Sequence, residues 1–189
     1  MDQEALLKDQ QASASGETMF LVTFQNQIYL INIADNKANL LITINSIIIS
    51  VIVSVTGLGV LSKSVELSKH FILFPIICII ITSLISVVLS IQAARPQVKN
   101  PNNMAKKGAP EKTSLIFFAN MSNKSMDEYI REMEILLSSR ESVREHMVID
   151  IFNQGKVLSR KYSLLNLAYL VFMYGFILSV ITFLVMLLI

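Results

Sequence analysis

Three stretches of the chain contain no charged residue: 38–62, 71–94 and 163–189. Each exceeds the ~20 residues a helix needs to cross a ~30 Å hydrocarbon layer. Inside lipid the backbone amides find no water, and a helix pairs all of them within one segment. The three stretches therefore predict three transmembrane helices. The first lies behind a long polar segment and is too long for the hydrophobic part of a secretion signal, so it reads as a span. Composition agrees, since 53% of the 189 residues are hydrophobic and only 16% are charged, a balance foreign to ordinary soluble domains.

The distribution of cations predicts orientation. Lys63 and Lys69 alone occupy the loop between the first two spans, while the other fourteen of the sixteen Lys and Arg precede span one or lie between spans two and three. Because positive loops are retained in the cytoplasm, the N-terminus and the region 94–163 are expected there, with the end of span three on the outer side. The reading is an all-α integral membrane protein with three transmembrane helices and a cytoplasmic helical bundle. Its expected parts are a disordered tail at 1–16, a cytoplasmic amphipathic helix at 17–37, and spans at 38–62, 71–93 and 164–189. An outer loop at 63–70 and a cytoplasmic basic loop and helical domain at 94–163 join them. Within that domain, Ser125 followed by Glu128 and Ser142 followed by Glu145 are capping-box patterns that mark helix starts.

Catalytic and metal-binding classes find no foothold in these residues. His70 and His146 have no second His or Cys at helical spacing, Cys78 is single, and no nucleotide-loop, nucleophile-elbow or zinc-protease motif occurs. Neither an enzyme nor a cofactor is expected. Between residues 92 and 163, twelve Lys and Arg oppose eight Asp and Glu, an excess suited to anionic lipid headgroups and too small to predict a nucleic-acid partner.

Polar residues at the entrance to span one point to function. Asp35, Lys37 and Asn39 sit where the polar segment meets the apolar one, and polar groups that continue into a span are costly enough to be informative. They form a candidate switch at the membrane mouth, against the plainer reading of interfacial anchors. Asn32, Asn36, Asn39, Thr43, Ser46, Ser50 and Ser54 repeat every three or four residues along one helical face, and span two repeats the pattern at Thr82, Ser86 and Ser90. Small residues at this spacing let helices approach closely in lipid. Thr43, Ser46, Ser50 and Ser54 are thus candidates for packing within a protomer or for a homo-oligomeric contact that opens into a wet path. Asn45 adds an amide elsewhere on the span.

The segment IADNKANLLITINSIIIS at 33–50, with FFAN at 117–120, EYIREM at 128–133 and GKVLSRKYSLL at 155–165, resembles the membrane-spanning Pycsar effectors (PycTM-like). The resemblance covers roughly residues 20–185. It implies an anti-phage, abortive-infection effector of the bacterial inner membrane. A partner pyrimidine cyclase would make cyclic UMP or cyclic CMP, and the effector would respond by impairing membrane integrity. A cyclic mononucleotide needs cations for its phosphate and aromatic or apolar surface for its base. In the cytoplasmic region Arg131, Arg140, Arg144, Tyr129, Phe117 and Phe118 are the groups of those kinds. The alternative is a non-catalytic membrane scaffold or accessory subunit without nucleotide gating.

Overall fold

The computed structural model describes residues 2–61, 70–96, 115 and 124–188. Among them the chain forms four helices and no strand: α1 (Asp2–Leu61), α2 (His70–Ala94), α3 (Met126–Leu137) and α4 (Arg140–Leu188). Three of these, α1, α2 and α4, contain stretches long and apolar enough to cross a membrane, and the chain is a membrane protein. Helix α1 takes in residues 2–16, which the sequence reads as a tail, and continues without a break into the first apolar stretch.

Helix α3 begins where its sequence demands. Ser125 has extended backbone angles, and its hydroxyl accepts the Glu128 amide at 3.3 Å, which satisfies one of the amides a helix leaves open at its start. Asp127 and Glu128 add negative charge at the positive end of the helix dipole. Helix α4 starts earlier than its capping-box pattern predicts. Ser139, one turn before Ser142, accepts the Ser142 amide at 3.4 Å, so the expected cap is instead the residue being capped. Only Ser138 and Ser139 separate α3 from α4.

The chain divides into two compact units, one of Met1–Leu30 with Pro96–Leu158, the other of Ile31–Arg95 with Ser159–Ile189. In the second unit α1, α2 and α4 pack through small residues: Ala34, Ala38, Ala93 and Leu165 form its apolar core. The large apolar side chains point outward, Leu40, Ile47, Val51, Ile85 and Phe183 among them. This inversion of a soluble core is what a hydrocarbon solvent allows, because lipid tails accept Leu and Ile as readily as a protein interior does.

At Gly175, α4 lies tightly against α2. A methyl group added at Gly175 would meet the Thr82 side chain at less than 3.0 Å, whereas one added at Gly57 would meet nothing. Overpacking such a contact costs about 1–3 kcal/mol. Gly175→Leu is therefore expected to lower the thermal unfolding midpoint of the detergent-purified protein, and Gly57→Leu to leave it unchanged. Equal midpoints for both variants would contradict this crossing.

Candidate functional site

The polar cluster at the start of the apolar stretch of α1 resolves into one ion pair and two exposed residues. Asp35 and Lys37 differ by two positions, so they leave the helix on different sides and cannot face one another. Asp35 pairs instead with Lys161 of α4, which donates its ammonium proton to Oδ1. Lys161 is only 5% exposed, and the Asp35 side chain is about a third exposed, at 35%. Lys37 and Asn39 are exposed, and what they contribute here is backbone. The Lys37 carbonyl accepts the Tyr169 hydroxyl at 3.4 Å, and the Asn39 carbonyl accepts the Thr43 hydroxyl at 2.9 Å. Of the three candidate switch residues, Asp35 alone joins two helices through its side chain. Its partner Lys161, one of the twelve cations between residues 92 and 163, is the member of the pair that spacing did not reveal.

Beyond the pair, the interior of the same unit is polar. Asn45, Ser83, Ser86, Ser90 and Ser179 are all buried. The Asn45 amide donates to the Leu41 carbonyl at 2.8 Å and faces the Ser86 hydroxyl at 3.4 Å. Ser86 in turn donates to the Ala168 carbonyl at 3.1 Å, so one residue of α2 touches both other helices. The small-residue stripe of α2 is therefore inside. That of α1 is not: Thr43, Ser46, Ser50 and Ser54 are exposed. Each hydroxyl donates to the carbonyl four residues earlier, at 2.8–2.9 Å. Asn45, from another face of α1, occupies the interior position.

In the other unit, Tyr129 of α3 lines a groove of about 560 Å³ together with Lys124, Met126, Ile130, Met133 and Leu137. Lys124 also pairs with Glu132. Arg131, Arg140 and Arg144 are exposed and do not line that groove, although Arg140 and Arg144 share one face of α4 at a spacing of four. Phe117 and Phe118 lie outside the described residues. His146 accepts the Leu115 amide at Nδ1, at 3.2 Å. Among the described residues no group of three His, Cys, Asp or Glu could hold a metal ion.

Asp150, in the same unit, is 5% exposed. Its Oδ2 accepts the Gln154 amide at 3.5 Å, and its Oδ1 has no hydrogen-bond partner. Burial pushes its carboxyl above the ordinary carboxylate value, because removal from water penalises the charged form. As pH rises from that ordinary value, the unfolded chain releases the proton first, so folding stability falls until the folded-state value is passed. Asp150→Asn removes the dependence. Its unfolding midpoint is expected to exceed wild type at about pH 8 and to converge with it toward about pH 4; a parallel pH profile in both proteins would contradict a buried, proton-holding Asp150.

A family model described as Pycsar effector protein domain matches residues 19–188. No curated protein and no solved structure matches the chain.

Proposed function

The chain belongs to the Pycsar effector family, and from that premise we propose that it is a nucleotide-gated effector that acts on the bacterial inner membrane without catalysis. Family membership gives it a role in anti-phage defence. In this reading the signal is cyclic UMP or cyclic CMP made by a partner pyrimidine cyclase. The N-terminus and the region 94–163 face the cytoplasm as a helical domain, which the fourteen-to-two distribution of Lys and Arg supports. The nucleotide is received there by Tyr129, Arg131, Arg140 and Arg144, with Phe117 and Phe118 as further candidates. Several copies of the chain act together, and the response is loss of membrane integrity.

The observation that carries this reading is the Asp35–Lys161 pair. A buried cation is costly without a partner, and removing one partner of such a pair costs about 3–5 kcal/mol. The exposure of Asp35 places this one toward the lower end or below. An interaction of that size is strong enough to hold one arrangement of α1 and α4 and weak enough for a ligand to overcome. Moving a switch from 1:99 to 99:1 takes about 5.5 kcal/mol of differential binding, which several subunits can share. Helix α4 carries Arg140, Arg144 and Lys161 on one unbroken element, so candidate receiver and latch belong to the same helix.

Calorimetry of the purified full chain against cyclic UMP, CMP, AMP and GMP tests the signal, and dye release from liposomes tests the response. Binding to a cyclic pyrimidine nucleotide, with release only in its presence, is the expected outcome. Absence of binding to all four would leave a membrane scaffold as the better description.

A further inference from the structure

We propose that the buried polar seam of α1, α2 and α4, centred on Asn45 and Ser83, is a water-binding path, and that the protein permeabilises the membrane through this path; this rests on the membrane-impairing function proposed above.

The seam is costly to bury and incompletely paired. Asn45 and Ser83 are 0% and 1% exposed, within a unit whose large apolar residues face outward. Serine in a membrane helix ordinarily meets its needs by bonding back to its own turn, as Ser90 does with the Ser86 carbonyl and Ser179 with the Gly175 carbonyl, both at 2.8 Å. Two atoms do not: Asn45 Oδ1 and the Ser83 hydroxyl are buried without a protein partner. A buried polar atom left unpaired is destabilising, and in lipid neither loop nor solvent can reach it from the side. Water held by polar groups removes that cost, and such waters bond to about two to four partners. Ser83 lies one turn from Ser86 on the same face of α2, and Ser86 already faces the Asn45 amide. An acceptor, a hydroxyl able to donate and accept, and the serine that faces the Asn45 amide are thus all buried in the same unit, Ser83 and Ser86 one turn apart on α2.

The outer stripe of α1 lacks this property. Ser46, Ser50 and Ser54 are exposed, yet each hydroxyl proton is already committed to the helix backbone. They call for no water and no partner.

The path closes on the Lys161 side. Along α1, Asp35, Ala38, Leu41 and Asn45 follow one another over ten residues, or roughly 15 Å of helix. Ala34, Ala38, Ala93 and Leu165 form an apolar layer at the level of the ion pair, with Ala34 and Ala38 on either side of Asp35 in the chain and Leu165 one turn after Lys161. Three of those four are alanines, so a small shift of one helix separates the layer. Release of the Asp35–Lys161 pair would permit that shift and admit water, and with it small ions.

The test uses full-length protein in liposomes loaded with an ion-sensitive dye that reports leakage of small ions, with Cys78→Ala as background and one new cysteine, Ser83→Cys or Ser50→Cys. The probes are 2-aminoethyl methanethiosulfonate, added with or without cyclic UMP or cyclic CMP. Because a thiol reacts as its thiolate, and thiolates form in water, Ser83→Cys is expected to react about tenfold or more faster while liposomes leak, with Ser50→Cys unchanged. Modification at position 83 should also block the leak. If Ser83→Cys fails to fold, Asn45→Cys takes its place with the same expectation. Reaction at position 50 with an inert position 83 in leaking liposomes overturns the seam as the path, and so does leakage with both positions inert. If neither nucleotide produces leakage, the proposed function fails instead. The seam is then judged by the resting protein, where a reactive position 83 supports bound water and an inert one overturns it.

Discussion

Lys161 is only 5% exposed and is paired with Asp35, and the arrangement of the membrane unit follows from that constraint. An ammonium group removed from water needs an anion and hydrogen-bond acceptors close by. Asp35 supplies them from α1, which fixes the register of α1 against α4. That register sets which residues of α1 face inward over the following turns: Ala38, Leu41 and Asn45 at spacings of three and four, all buried. Asn45 then reaches Ser86 of α2, and Ser86 reaches the Ala168 backbone of α4. One ion pair and a chain of neutral hydrogen bonds thereby tie three helices whose apolar side chains are spent on lipid.

The division of labour is physical. Lipid gives helices no hydrophobic reason to associate, so contact must come from close packing and from polar groups that avoid hydrocarbon. The chain uses both. Gly175 lets the Thr82 side chain lie directly against α4, and the alanines of the core let backbones approach where bulky residues would hold them apart. The same polar groups are the ones a membrane-active protein can rearrange, because hydrogen bonds exchanged for water cost far less than apolar surface exposed to it.

Much of this was legible in the residues and some was not, for identifiable reasons. The three apolar stretches declare themselves because absence of charge over twenty residues admits few other structures. Ser125 is legible because capping is a local event. Ser142 misled because a serine stands one turn earlier, and both fit the spacing of a cap. The outer stripe of α1 repeats as regularly as the inner stripe of α2, since a hydroxyl that bonds to its own helix needs no particular neighbour and periodicity cannot tell the two apart. Lys161 was beyond reach for another reason. It lies 126 positions from Asp35, and nothing local distinguishes it from Arg160 or Lys156, which share its composition and its segment.

The central claim, that Asp35 and Lys161 act as one unit holding α1 to α4, is tested most directly by a double-mutant cycle. Thermal unfolding of detergent-purified protein would be compared for Asp35→Asn, Lys161→Met and the double variant. Each single change should destabilise, because it leaves the other group unpaired, while the double variant should recover much of the loss, with a coupling of about 0.5–3 kcal/mol. Additive losses in the double variant would contradict the claim.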